Sequence, residues 1–343
     1  MTVSNLDFER PDALQATRPA EMRGLSRDGV RLLVSGGSEH LHARFTDLPE
    51  LLHAGDLLVV NDSATLPASL PAEGPQGPFV VNLSTRYADD LWLVEPRWSQ
   101  AEPGPIGVAA GWRAHIAGLH ATFIAPYPGL PRLWFTRFSG DVHAAMRRQG
   151  EPIRYRYVTE SYPLSAYQTL FARRPGSAEM PSAARPFTRT VVDRLTDRGV
   201  GIAGITLHTG VSSLEVDGPE AVSQPFYPEP FEVTARAAAL VNATRRGGRR
   251  VIAVGTTVVR ALESAWDGER VASARGFTRH VVGPERRVKT VDGLLTGFHD
   301  PQASHLAMLL AIAGPGLMRD AYGRAVQGGY LWHEFGDSHL ILA

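Results

Sequence analysis

The spacing of hydrophobic positions changes character twice along the chain. Before about residue 62 the clearest element is "GDLLVVND", an apolar run that predicts a buried strand ending at Asn61 and Asp62. From about residue 65 to 140 the text is "FVVNLSTR", "LWLVEPRW", "WRAHIAG" and "RLWFTRFSG". These runs are short, aromatic, partly alternating and separated by Pro and Gly, which predicts a small antiparallel domain or barrel. After "GEPIRYRY" the helical period returns. "RTVVDRLTDRGV" is amphipathic, "GIAGITLH" is strand-like, and "ARAAALVNATRRGG" is a helix closed by glycine. Further on, "ASHLAMLLAIAG" and "GLMRDAYGRAVQGG" predict two more helices, each ending in Gly. Strands that alternate with helices imply parallel pairing. The pattern therefore predicts an α/β domain, residues 1–62 and 149–343, with a β-rich insertion over 63–148.

"RRVIAVGTTVVRALES", residues 249–264, joins two elements. The apolar run Val251 to Val254 predicts a buried strand, and the text after Thr257 has a helical period. Gly255, Thr256 and Thr257 fall at the junction. A helix start has unpaired backbone N–H groups and a partial positive charge. Glycine lets a ligand approach the backbone, and Thr256 or Thr257 can cap the helix while offering a hydroxyl. The junction suits a carboxylate, a phosphate or the polar edge of a cofactor. A well-capped βα turn satisfies the same pattern, which is neither GxGxxG nor GxxxxGK[ST].

Composition narrows the classes. The chain has 343 residues, 43% hydrophobic and 20% charged, as in a globular protein with a sizeable core. Lys and Arg number 35 and so do Asp and Glu, which argues against non-specific coating of nucleic acid but leaves a local basic patch open. The absence of cysteine removes disulfides, thiolate metal sites and a cysteine nucleophile. No apolar run approaches the roughly 20 residues of a membrane span. The first residues, "MTVSNLDFERPDAL", lack a charged-then-apolar leader pattern, so a cytoplasmic protein is expected.

Histidines and carboxylates supply the candidate chemistry. His208 follows "GITL", at the strand end where α/β sheets place their sites. His299 and Asp300 precede Pro301 in a loop, and Asp337 and His339 lie in "EFGDSHLILA". Their spacings match no HxH or HExxH pattern, so no metal is expected, and there is no GxSxG elbow.

"GDLLVVNDSATLP", "YQTLFA", "GITLHTG", "RRVIAVGTTVVRALES", "VDGLLTGFHDPQAS" and "GDSHLILA" occur in this order. Together they resemble the S-adenosylmethionine:tRNA ribosyltransferase-isomerase family of queuosine biosynthesis. The resemblance runs from near residue 30 to the C-terminus and is weakest in the β-rich middle. It implies a barrel-like large α/β domain with a smaller antiparallel β-barrel domain inserted. It also implies a reaction. The ribosyl part of S-adenosylmethionine moves to a 7-aminomethyl-7-deazaguanine in the wobble position of a GUN-anticodon tRNA and rearranges to an epoxycyclopentanediol. Adenine and methionine leave. That chemistry needs a base beside the sulfonium, stabilisation of departing adenine and a dry cavity. The sulfonium supplies the electrophilic activation, so no metal is implied.

Several positions depart from the family pattern. Its "PTAGLHFT" block is "PSAARPFT" here, with Pro186 at the histidine position and Arg185 beside it. Its "HVGxGTF" is "HTGVSSL", which keeps His208 and Gly210. Of a following "HxMHxE" only Glu229 survives, in "QPFYPEP". Ala64 and Ser69 stand where two arginines of "NDTRVIPAR" would be. "NFHLPxSTL" becomes "GFHDPQASHL", which keeps Phe298, His299, Pro301 and Leu306 and introduces Asp300 and His305.

The reading is thus an S-adenosylmethionine-dependent ribosyl transferase and isomerase. The alternatives are a diverged enzyme that uses a small-molecule acceptor or rearranges S-adenosylmethionine itself, and a non-catalytic S-adenosylmethionine-binding relative. Gly255, Thr256 and Thr257 are expected at the donor, with Arg260 holding a carboxylate. His208 is the first candidate base and His299 the second, with Glu229 orienting either. Asn61, Asp62, Tyr167 and Gln168 are expected to wall the substrate site, and Arg185 to contact the acceptor.

Overall fold

The computed structural model describes all residues except 1–7, 38, 103–105, 212–226, 281, 284–286, 302 and 343. In chain order the strands are β1 (Arg31–Gly36), β2 (Glu39–Arg44), β3 (Leu57–Asn61), β4 (Ser63–Thr65), β5 (Ser69–Gly74), β6 (Gly77–Arg86), β7 (Leu91–Arg97), β8 (Arg113–Ile116) and β9 (Leu119–Tyr127). They continue with β10 (Leu130–Phe138), β11 (Arg174–Ser177), β12 (Gly201–Leu207), β13 (Glu229–Val233), β14 (Val251–Val254), β15 (Ala274–Thr278), β16 (Gly293–Gly297) and β17 (Ser338–Leu342). The helices are α1 (Leu48–Leu51), α2 (Val142–Gln149), α3 (Arg189–Asp197), α4 (Ala235–Arg246), α5 (Thr256–Ser264) and α6 (Ser304–Gln327).

Nine strands form the large sheet, in the order β15-β13-β12-β3-β14-β16-β17-β1-β2. β12, β3, β14 and β16 run parallel, as the alternation with helices predicts. β13 and β17 are antiparallel to the outer members of this group. Alternate residues of β3 feed opposite faces. Leu57 and Val59 pack with α4 and α5, whereas Leu58 and Val60 pack with α1 and α3. A strand buried on both faces needs the unbroken apolar run seen in the sequence. Each such side chain contributes roughly 1.5–3 kcal/mol on burial.

The six strands from β5 to β10 close into an antiparallel barrel. Val81, Leu83, Val94, Phe123 and Trp134 fill it, and Val142, Ala145 and Met146 of α2 join the same apolar cluster. The mixed α/β class and the small antiparallel barrel are as expected. Pattern reading passed over β1, β9, β13 and β17, which are short or alternate weakly.

The two predicted C-terminal helices lie within Ser304–Gln327 and are separated by a kink at Gly314, whose φ of 77° and ψ of 161° are non-helical. Pro315 follows, where a first helical turn needs no N–H.

Candidate active site

Parallel strands place their carboxyl ends on one edge of a sheet, where open α/β folds bind ligands. Here the edge reads, in spatial order, His208 after β12, Asn61 and Asp62 at β3, Gly255 to Thr257 after β14, and His299 after β16. At the usual strand spacing of about 4.8 Å, the two histidine corners lie about 15 Å apart along the edge. β13 and β17 run the other way, so Glu229 and the segment before Ser338 arrive at the same edge.

His208 is held by hydroxyls. Its Nδ1 shares a hydrogen bond with Ser63 Oγ at 2.7 Å, and Ser63 Oγ bonds Ser177 Oγ at 2.6 Å. Ser177 Oγ accepts from the Thr209 backbone N–H at 3.1 Å. Burial and the nearby Arg174 lower the imidazole pKa below its ordinary range, and Asp62 opposes them. The ring is therefore neutral at pH 7, as a base must be. Gly176 lies against it. A methyl group at that position would collide with the imidazole, so only glycine fits.

Asn61 is fully buried and works as an extension of the sheet. Its Nδ2 donates to the Leu207 carbonyl at 2.8 Å, and its Oδ1 accepts from the Leu207 N–H at 3.0 Å. Asn61 Nδ2 also lies 3.4 Å from Thr257 Oγ1, linking the β3 and β14 ends. Asp62 accepts from Thr206 Oγ1 at 2.6 Å.

At the β14–α5 junction the cap differs from the expectation. Gly255 itself is the N-cap, with φ 94° and no side-chain cap bond, so neither threonine caps α5. A glycine cap leaves the first-turn amides without an internal side-chain acceptor. Gly255 faces Ala183 of the "PSAARPFT" block: an added Cβ would lie 3.3 Å from the Ala183 methyl.

Glu229 and Arg260 form a buried ion pair, with side chains 5% and 11% exposed. Glu229 also accepts from the Gly210 N–H at 2.8 Å. The carboxylate expected for Arg260 is thus the protein's own. Glu229 touches neither histidine ring among the described contacts; it fixes the backbone two residues beyond His208. Gly210 is closed in by Tyr227 and by Ser84 of the barrel, and Ser84 Oγ accepts from the Val211 N–H at 3.0 Å. The barrel therefore touches the segment that carries His208.

His299 is half-buried, shares a hydrogen bond with Thr296 Oγ1 at 3.0 Å, and stacks on His305 with ring centroids 4.7 Å apart. Burial and the neighbouring His305, His333 and His339 push its pKa well down. Burial, with Arg260 adding to it, takes His305 down to about 4. Both rings are neutral at pH 7. Asp300 pairs with Arg10 and with His333 Nε2, the latter at 2.9 Å. Asp337 anchors the Arg31 and Leu331 N–H groups, and His339 bonds Ser35 Oγ at 2.8 Å. These two belong to the architecture.

Arg185 was expected at the acceptor. Its guanidinium is instead used inside the protein: Nε donates to the Ala166 carbonyl at 2.9 Å, one NH2 pairs with Glu21 at 3.0 Å, and the cation lies 4.9 Å over the Phe335 ring. Gln168 is likewise occupied, pairing both ways with the Thr65 backbone at 3.0 and 2.7 Å. Tyr167 is 1% exposed, and its hydroxyl has no hydrogen-bond partner among the described residues. Ser212, Ser213 and Leu214 of "HTGVSSL", and residues 224–226 of "QPFYPEP", lie outside the described residues.

Sequence reasoning missed Ser63, Ser177 and Gly176, which hold the His208 ring. Ser63 lay inside a quoted block and Gly176 just beyond "YQTLFA", but their roles come from pairing β4 with β11, which no local pattern shows. Among the described residues no group of three or more His, Asp or Glu side chains is placed to hold a metal ion, and no helix is long and apolar enough to cross a membrane.

A family model described as queuosine biosynthesis protein matches residues 3–341. Proteins named S-adenosylmethionine:tRNA ribosyltransferase-isomerase are similar across nearly their whole length. One from Thermus thermophilus is 38% identical over 325 residues, covering 92% of this chain and 93% of the relative. One from Anaeromyxobacter dehalogenans is 35% identical over 354 residues, covering 100% and 99%. A crystal structure titled S-adenosylmethionine tRNA ribosyltransferase, from Thermotoga maritima, superposes with a TM-score of 0.56 at 27% identity, covering 98% of this chain and 100% of that one.

Proposed function

The chain belongs to the S-adenosylmethionine:tRNA ribosyltransferase-isomerase family of queuosine biosynthesis, and from that premise we propose how its sheet edge divides the work. The chain is an enzyme that transfers the ribosyl part of S-adenosylmethionine to tRNA. The acceptor base is 7-aminomethyl-7-deazaguanine, and adenine and methionine are released.

His208 is the base that removes the proton next to the sulfonium. Its pKa is lowered, so it is neutral at working pH, and Ser63 fixes the ring. The Gly255–Thr257 turn receives the donor, because its uncapped amides and the Thr257 hydroxyl face the edge between the two histidine corners. His299, half-buried and neutral beside Thr296, offers a ring N–H as a hydrogen-bond donor to the departing adenine at the other corner. Asp62, Tyr167 and the Ser63–Ser177 pair wall the cavity. Asn61, Glu229, Arg260, Arg185 and Gln168 hold these walls from behind. A reaction in a bacterial cytoplasm follows from a tRNA acceptor.

The observation that carries this reading is the convergence of His208, Asp62, the Gly255–Thr257 turn and His299 on one edge, in the order β12-β3-β14-β16. The test is adenine release from S-adenosylmethionine in the presence of a tRNA stem-loop carrying the aminomethyl base. Release that needs both, together with salt-sensitive RNA binding, is expected. Binding of S-adenosylmethionine without any turnover would overturn the reading.

A further inference from the structure

A second set of polar groups gathers where the chain enters β17. Glu334 precedes this strand and Glu179 follows β11, so both reach the same edge as His208 and His299. Glu179 adjoins the His208 strand, since its carbonyl accepts from Thr209 Oγ1 at 2.6 Å. Tyr155 donates to Glu179 Oε2 at 3.1 Å. Tyr155, Tyr157 and His333 stack in series, with centroid separations of 5.4 and 4.6 Å.

This corner is electrically unfinished. Glu334 Oε1 is buried and has no hydrogen-bond partner among the described residues. The same holds for the hydroxyls of Tyr157 and Tyr167. Tyr157 stacks on His333 and Tyr167 packs on Phe335 with ring centroids 5.4 Å apart, so the two rings meet the residues on either side of Glu334. A buried polar atom without a partner is costly, and a ligand that supplies the missing hydrogen bonds removes that cost. The nearby cation Arg185 is tied to Glu21 and to the Ala166 carbonyl. What the corner lacks is a positive group with N–H donors.

We propose that Glu334, with Glu179 and the hydroxyls of Tyr157 and Tyr167, forms a subsite for a primary ammonium group of a substrate. The proposal deepens the functional reading above and rests on it. The sulfonium does not fit this description, because it is cationic but has no N–H to give an orphaned carboxylate oxygen. An ammonium has three donors, enough for the Glu334 oxygen and the two tyrosine hydroxyls. Two substrate groups share this chemistry: the α-ammonium of S-adenosylmethionine and the aminomethyl group of the acceptor base. Burial, with Glu179 adding to it, raises the Glu334 pKa to about 8. An arriving ammonium favours the carboxylate, so binding releases a proton from Glu334 near neutral pH.

The test is calorimetric titration of the full chain and its Glu334→Gln and Glu334→Asp variants. The probes are S-adenosylmethionine, its analogue without the α-amino group, and RNA stem-loops carrying either 7-aminomethyl- or 7-methyl-7-deazaguanine. Glu334→Gln is expected to weaken one amine-bearing probe about ten- to a hundred-fold and to leave its amine-free counterpart within about twofold, with Glu334→Asp in between. The pair that shows the difference identifies the source of the ammonium. Equal losses for amine and amine-free probes, or no loss for either, overturn the subsite. Adenine release is followed in the same samples. Turnover without amine discrimination removes the subsite and keeps the enzymatic reading; amine-selective binding without turnover does the reverse.

Discussion

Two glutamates, one buried and one half-buried, stand at one sheet edge and are held in opposite ways. Glu229 has a guanidinium from Arg260 on one side and the Gly210 N–H on the other. Glu334 has an oxygen with no partner among the described residues, a second carboxylate nearby, and two tyrosine hydroxyls that are also unmatched. The first corner is complete without a ligand. The second is complete only with one. At this edge, charge that is already satisfied belongs to the walls, and charge that is left open belongs to the substrate. The same rule sorts the arginines: Arg260 and Arg185, both expected at ligands, are occupied by the chain's own carboxylates and carbonyls.

The completed corner gives the largest expected effect. Arg260→Ala strands Glu229 as a buried, uncompensated charge, which costs about 3–5 kcal/mol. Urea unfolding followed by circular dichroism measures it. A loss below about 1 kcal/mol would mean that the pair behaves like a surface salt bridge, and the contrast with Glu334 would fail.

His208 lies between the two corners and tests whether the open side is catalytic. His208→Gln keeps a hydrogen-bonding side chain but removes the titratable nitrogen. Adenine release is expected to fall about 10²–10⁴-fold with little change in S-adenosylmethionine affinity. Because burial lowers the His208 pKa, the wild-type acid limb of kcat/KM falls below the ordinary imidazole value of about 6.5. An acid limb at or above that value assigns the proton transfer to another group.

Gly176→Ala sharpens the same point without touching the imidazole chemically. The added methyl meets the His208 ring, which must move. A displacement of about 1 Å at a catalytic group costs about 10²-fold in rate, and overpacking costs about 1–3 kcal/mol, so kcat falls about 10²-fold in a chain that is weakened but still folded. Unchanged kcat would show that the position of the ring does not matter.

How much of this was legible in the chain depends on the range over which each signal acts. The Gly255 junction was readable because an apolar run, a glycine and a helical period are adjacent in sequence, and the positive φ at Gly255 is what that pattern encodes. The identity of the cap was not readable: two threonines beside a glycine look like caps until the backbone shows which residue leaves the helix. The barrel was visible from alternation, but β17 was not, since "SHLIL" is short and its partners are β16 and the distant β1. Arg185 looked like an acceptor contact because it replaced a motif neighbour. Its partner Glu21 lies near the N-terminus, and no spacing rule reaches that far. Glu334 carried no local signal. Its meaning comes from Glu179, Tyr157 and Tyr167, which the sheet edge and the preceding loop bring to it.

The smallest expected effect is on the stability of Glu334→Gln, and its sign separates the two glutamates most cleanly. In the folded chain the Glu334 pKa is raised from 4.5 to about 8, with burial the first cause and Glu179 the second. A group raised on folding contributes its full stability below its unfolded pKa and loses that contribution as pH rises through the folded value. Wild type therefore loses stability between about pH 4.5 and 8 on account of this residue. A glutamine has no such slope. At pH 5 both side chains are neutral in the folded state, and the variant is expected within about 0.5 kcal/mol of wild type. As pH rises toward 8 the variant becomes the more stable of the two. Glu229→Gln is destabilised instead, because the buried Arg260 guanidinium loses its carboxylate partner. Unfolding midpoints of both variants across this pH range decide the matter. Parallel curves for wild type and Glu334→Gln would mean that Glu334 already has a counter-charge in the unliganded chain, and the open corner would be closed after all.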